Sequence, residues 1–258
     1  MIKVINQTLK RDKFEIRDMN FEIEKGKVTA LVGKNNAGKS SLMYGLIGSI
    51  PLETNKEAFT SAFVGNNMPF NPHITVSEVP NLMQNIHPNF SRDAYFNYCR
   101  TFNLEIYSKL IILSKGQIKY VMLACALSLD PDVLFLDEIM LNIDQFKKEN
   151  FKSVIEDFMK KGDKTVVLAT NQIEFFEDVI DNLIYIKNNH IYYAGSLLNL
   201  KSNLKIVNTD EVKDEPILYE TKSAFSSEAL IQTKHGDEEN LVMLLKYLER
   251  SSNEKLYF

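Results

Sequence analysis

The residues Gly33-Lys34-Asn35-Asn36-Ala37-Gly38-Lys39-Ser40 read G-x-x-x-x-G-K-S, a spacing that can hold a phosphate. The apolar run Val28–Val32 precedes them, and Ser41-Leu42-Met43-Tyr44-Gly45-Leu46-Ile47 follows with the look of a helix start. Strand, loop and helix in that order are the context a phosphate-binding loop requires. Glycines let the chain turn tightly, so consecutive backbone N–H groups point into a hollow the size of a phosphate. The helix N-terminus adds about half a positive charge to the same place. Lys39 would reach the terminal phosphates, and the hydroxyl of Ser40, with Ser41 beside it, would stand on Mg²⁺. A chance Gly-rich turn is the competing explanation, and the flanking strand and helix speak against it.

Two carboxylates form the second cluster. In Val133-Leu134-Phe135-Leu136-Asp137-Glu138 four apolar residues bury a strand and deliver acids at its C-terminal end, the edge where α/β sheets bind ligands. Asp137 would hold Mg²⁺ through water, and Glu138 could polarise an attacking water. Apolar-then-acid strands are common, so this pair gains its meaning from the phosphate loop. The third cluster, Leu113-Ser114-Lys115-Gly116-Gln117, opens an apolar helix ahead of those acids.

The elements that must position these residues alternate. Residues 2–7 and 14–24 pattern as strands around a turn at Arg11-Asp12-Lys13, and Lys25-Gly26 turns into the strand before the phosphate loop. Helix signals run from Lys39 to Ser49 and stop at Pro51. Thr60–Gly65 is a short strand. Pro69, Pro72 and Pro80 then argue against a regular helix until after Pro80. A helix capped by Ser91 is expected to Asn103, and another from Gly116 to Leu129, ended by Asp130-Pro131. Strand 132–136, helix 145–161 closed by Gly162, strand 165–169, helix 172–179 and strands 183–187 and 190–194 follow. Strands alternating with helices indicate a parallel α/β sheet. Beyond Gly195 come short strand signals at 204–207 and 217–220, an acidic run at 210–215, and a helix over 237–250. Leu241, Leu244, Leu245 and Leu248 form one stripe of that helix, suited to ordinary packing.

At 258 residues the chain has room for one large α/β domain, or one with a small appendage. A hydrophobic fraction of 45% provides a core without metals or disulfides, and a net charge of −4 argues against a general nucleic-acid binder. Cys99 and Cys125 stand far apart in sequence, match no metal spacing, and read as cytosolic structural thiols. The longest nearly apolar run, Tyr120–Leu129, is too short to span a bilayer. The N-terminus lacks a signal-peptide pattern. A cytoplasmic protein is expected, with membrane contact through a partner.

The three clusters together resemble the nucleotide-binding subunit of ATP-binding-cassette (ABC) transporters, whose signature commonly reads L-S-G-G-Q. Ser114, Gly116 and Gln117 match it, and Lys115 replaces a glycine. The resemblance spans about residues 1–195. It implies a P-loop NTPase cassette: an N-terminal antiparallel β subdomain, a RecA-like parallel core and a small helical subdomain at about 66–125. Residues 196–258 would be a short C-terminal α/β extension, with subunit pairing as its candidate role. The implied ligands are ATP and Mg²⁺, with the signature helix binding the γ-phosphate held by a second subunit's loop. The implied partners are transmembrane permease chains and a second ATPase subunit, in a homodimer or heterodimer, peripheral on the inner face of the membrane. The stretch from His87-Pro88-Asn89-Phe90 to Phe102-Asn103-Leu104 resembles drug and peptide exporters of the bacitracin-resistance and phenol-soluble-modulin type.

Departures from the family pattern matter as well. Asn66 aligns where a glutamine usually contacts Mg²⁺ or the water, and its shorter reach weakens that contact. Asn171 aligns where the family carries a switch histidine. Asparagine can hydrogen-bond a γ-phosphate but cannot become a cation or relay a proton. In the loop Ile139-Met140-Leu141-Asn142-Ile143-Asp144, Asp144 matches the family's final aspartate, and Asn142 stands where glycine is common. The aromatic that would stack on adenine has Phe14 as its nearest candidate, and a core role for Phe14 competes. The leading expectation is an ATP-hydrolysing subunit of a peptide or drug exporter, with Glu138, Asn171 and Asn66 at the reaction centre. The alternative is a subunit that binds ATP as a switch and hydrolyses little. An ATPase acting on DNA or ribosomes is disfavoured, because there is no long heptad segment, second cassette or basic patch.

Overall fold

Alternating apolar and polar residues build the first hairpin from β1 (Ile2–Arg11) and β2 (Phe14–Ile23), registered from Ile2 opposite Ile23 to Arg11 opposite Phe14. Ile2, Val4 and Leu9 on one strand, and Ile16, Met19, Phe21 and Ile23 on the other, are buried. β1 runs four residues past the expected 2–7, because a register shift near Gln7 returns Leu9 to the buried face. The computed structural model describes residues 1–12, 14–139, 145–209, 212, 216–222, 227–233, 240–251 and 256, with the side chains of 56, 145–149, 222 and 227 outside it. The loop carrying Asn142 and Asp144, most of the acidic run 210–215 and the first turn of the expected last helix lie outside the described residues.

In chain order there follow β3 (Val28–Val32), α1 (Lys39–Leu46), β4 (Asn55–Lys56), β5 (Ser61–Val64), α2 (Val79–Ile86), α3 (Arg92–Thr101), α4 (Lys115–Ser128), β6 (Val133–Asp137), α5 (Gln145–Met159) and β7 (Thr165–Ala169). Then come β8 (Asn182–Lys187), β9 (His190–Ser196), α6 (Leu197–Ser202), β10 (Leu204–Asn208), β11 (Ile217–Lys222), β12 (Ser227–Gln232) and α7 (Leu241–Arg250).

These elements gather into two bodies. The first, the phosphate-loop body, holds residues 2–23, 29–55 and 171–258. Its sheet runs β1-β2-β9-β8-β3, with β1–β2 and β8–β9 antiparallel, and β2–β9 and β3–β8 parallel. A separate antiparallel sheet, β10-β12-β11, carries α7. On α7, Leu241, Leu244, Tyr247 and Leu248 are buried, so the apolar stripe packs. The second, the acid-strand body, holds residue 1, 24–28 and 56–170. Its strands run β7-β6-β5, all parallel. All five residues of β6 and of β7 are buried, as parallel strands covered on both faces should be. α4 packs on α3 and β5, with Phe102 stacked on Tyr120.

Two expectations are corrected. The helix over 172–179 is only a 3₁₀ turn at Ile173–Phe175. Phe175 and Phe176 meet edge to face at the end of that turn. α2 begins at Val79, before Pro80, since a proline in the first turn interrupts no hydrogen bond. β12 and α6 carry too little periodicity to be anticipated. The fold is a mixed α/β arrangement with a curled sheet of parallel and antiparallel pairs.

Candidate nucleotide site

The loop from Gly33 to Gly38 is built by backbone geometry. Gly33 has φ of 153° and lies where a Cβ would overlap the Ile186 carbonyl oxygen. Gly38 has φ of 99°, and a Cβ there would overlap the Phe14 ring. Both positions demand glycine. Phe14 is half-buried with its ring laid on the loop at Gly38. Gly38 is also the N-cap of α1, and neither a capping side chain nor an acid occupies that helix start. Its first N–H groups are therefore suited to an anion. Ser40 and Ser41 are half-buried on the first turn, and Arg11 donates to Ser41 Oγ at 3.5 Å.

Lys39 is buried, at 6% exposure. Its ammonium donates to Gly33 O at 2.8 Å, Lys34 O at 3.1 Å and Asn171 Oδ1 at 3.1 Å. Asn171 Nδ2 donates in turn to Asn35 Oδ1 at 2.7 Å. The structure thus brings Asn171 to the phosphate loop, where its amide clips Lys39 to Asn35. A phosphate oxygen would compete with that amide for the same ammonium.

The outer side of the loop is tied to the chain's end. Lys34 Nζ pairs with Glu249 at 2.8 Å, and Tyr185 donates to the same carboxylate. Buried Lys187 donates to Leu248 O and Ser251 O, both at 2.8 Å, closing the last turn of α7. Burial lowers the Lys187 pKa, Glu249 raises it, and Lys34 lowers it.

In the acid-strand body, β6 ends on Asp137, paired with Ala169 of β7. Asp137 is buried, and its Oδ1 has no hydrogen-bond partner among the described residues. A buried, uncompensated carboxylate oxygen is costly. A hard divalent cation, directly or through water, is the group it fits. Glu138 is half-buried and left-handed, with φ of 50°, a conformation that costs a non-glycine residue about 1–3 kcal/mol. Its N–H continues the ladder to Ala169 O at 2.9 Å, and its carbonyl accepts from the ammonium of Lys119. Lys119, in the second turn of α4, is 5% exposed. Burial lowers its pKa, while Glu138 and Asp137 hold it up.

At the start of α4, Ser114 and Gln117 cap one another. Gln117 N–H donates to Ser114 Oγ at 3.2 Å, and Ser114 N–H donates to Gln117 Oε1 at 2.9 Å, a capping box. Gly116 is buried behind them, and Ser114 remains exposed. Asn66 lies on an exposed turn two residues beyond β5, at the same strand edge as Asp137. Asp144 falls outside the described residues.

Sequence reasoning missed Lys119 and Glu249. Lys119 had a readable signal, a single cation followed at once by the apolar run Tyr120–Leu127 of a buried helix. Glu249 had none, because its partner is far away in sequence.

Residues 16–140 match the family described as ABC transporter. The energy-coupling factor transporter ATP-binding protein EcfA1 of Mesomycoplasma hyopneumoniae is 25% identical, over 98% of this chain and all of that protein. The O-antigen export system ATP-binding protein RfbB of Klebsiella pneumoniae is 26% identical, over 74% of this chain and 80% of its own. A solved ATP-binding subunit of an ABC transporter superposes with a TM-score of 0.67 at 22% identity, covering 78% of this chain and 92% of that one. The phosphate loop, the acid-ended strand and these likenesses converge on the ATP-binding domain of ABC transporters, an ATPase family that residues 16–140 match.

Proposed function

We propose that this chain is the ATP-hydrolysing subunit of a membrane transporter that exports peptides or drugs, acting as a pair of ATPase subunits on transmembrane permease chains. The observation that carries the ATPase reading is the buried, unpartnered Oδ1 of Asp137 at the end of β6, next to Glu138. In this reading Gly33–Ser41 bind the phosphates and Ser40, Asp137 and Asn66 hold Mg²⁺. That ion would supply charge neutralisation between the β- and γ-phosphates. Glu138 takes up the proton of the attacking water, and Ser114, Gly116, Gln117 and Asp144 serve the partner subunit's nucleotide. Export is supported by the likeness of 87–104 to exporter chains and by the name of the O-antigen relative. The energy-coupling factor relative supports the ATPase role alone. Among the described residues no helix is long and apolar enough to cross a membrane, in keeping with attachment through permeases. Subunit pairing is assigned to 196–258, where Leu198, Ile217, Val242 and Met243 are exposed.

Glu138→Gln tests the reading. Nucleotide binding should persist while turnover falls by at least 10², the lower range for a positioned proton acceptor. Turnover at the unmodified rate would show that another group is the base. A second reading, slow hydrolysis in a switch subunit, is favoured by the Lys39–Asn171–Asn35 clip, which holds the key ammonium with a side chain unable to carry a proton.

A further inference from the structure

Glu138 combines two unusual features. It is a non-glycine residue in the left-handed region, and its carbonyl leaves the β6–β7 ladder to meet a buried lysine. The reversed backbone sets the direction of its Cα–Cβ bond, and therefore where its carboxylate can reach. The ladder is regular up to that point, since Asp137 and Ala169 still pair. The ammonium of Lys119, a charged donor, closes on the carbonyl of the reversed residue. Lys119 also belongs to the helix whose first turn holds Ser114 and Gln117, one turn upstream.

We infer that Lys119 is a positioning residue for hydrolysis: it holds Glu138 in the reversed conformation that aims the base, and ties that aim to the signature helix. This rests on the reading of Glu138 as base. An ångström of misplacement in a reacting group costs on the order of 10²-fold in rate, with little effect on binding. A residue that only filled space would instead weaken binding, turnover and thermal stability together.

The experiment uses the full chain, measuring kcat and KM for Mg·ATP and the Kd of a fluorescent ATP analogue. Lys119→Met should lower kcat by about 10- to 100-fold while KM and Kd stay within about threefold. Lys119→Arg, which keeps a cationic donor for the Glu138 carbonyl, should recover most of kcat. Adding Lys119→Met to Glu138→Gln should cost nothing further, because effects acting through one group do not add. Should the Met variant not fold, Lys119→Gln replaces it, keeping a polar head but neither the ammonium nor its reach. A kcat within twofold of the parent would overturn the inference. So would an Arg variant as poor as Met, or a kcat loss matched by the same loss of nucleotide affinity. Failure of the Glu138 reading looks different: Glu138→Gln would then turn over normally, whatever Lys119 does.

Discussion

Lys39 and Lys119 are buried to nearly the same degree, and each gives its ammonium to backbone carbonyls, yet their surroundings differ in kind. Around Lys39 the partners include two loop carbonyls and a side-chain amide, and the amide is a group that a phosphate oxygen can replace. Around Lys119 the partner is the carbonyl of a strained residue, which no ligand can displace without releasing the strain. The first lysine is arranged to exchange partners and the second to keep one. Burial alone therefore says little about a lysine's job; the chemistry of its acceptor says more.

Changes to the exchanging lysine should show first in binding. Lys39→Ala should weaken ATP binding by about 3 kcal/mol, on the order of 10²-fold in Kd, for loss of charge-assisted bonds. Calorimetric titration would reveal it, and unchanged affinity would place the phosphates elsewhere. Asn171→His sharpens the contrast further. It should raise turnover at the Lys39 side by less than the ~10² that a well-placed proton carrier supplies, without altering affinity by more than a few-fold. A rate identical to the parent's would mean that Asn171 does not limit hydrolysis. The smallest effect belongs to Lys34, an exposed lysine of the same loop. Its side chain stays largely exposed in the ion pair with Glu249, so Lys34→Gln should cost no more than about 1 kcal/mol of stability and leave Kd nearly unchanged. A large affinity loss would show that its side chain, and not only its amide, meets the nucleotide.

Much of the phosphate-loop body was legible because its signals are local. The G-x-x-x-x-G-K-S spacing, the five buried residues of β3 and the helix start at Lys39 each follow from a few consecutive residues. The same holds for Ser114 with Gln117, where a capping box is a four-residue pattern. What escaped was non-local or chiral. The left-handed turn at Glu138 has no glycine to announce it. The clip joining Asn35, Lys39 and Asn171 spans more than 130 residues, and only alignment with a family placed Asn171 at all. The expected helix at 172–179 gave way to a 3₁₀ turn at Ile173–Phe175, a difference that no local pattern in those residues announces.

The lysine at the end of β8 carries a consequence for how the chain is made. Lys187 finds its acceptors on Leu248 and Ser251, the latter 64 residues later. Until the last helix is in place, that ammonium lacks these two acceptors. Synthesis that halts before residue 241 would leave a cation facing an apolar interior without those carbonyls. The end of α7 thus helps to seat the end of β8, and a chain cut before residue 241 should melt at a lower temperature than the full chain.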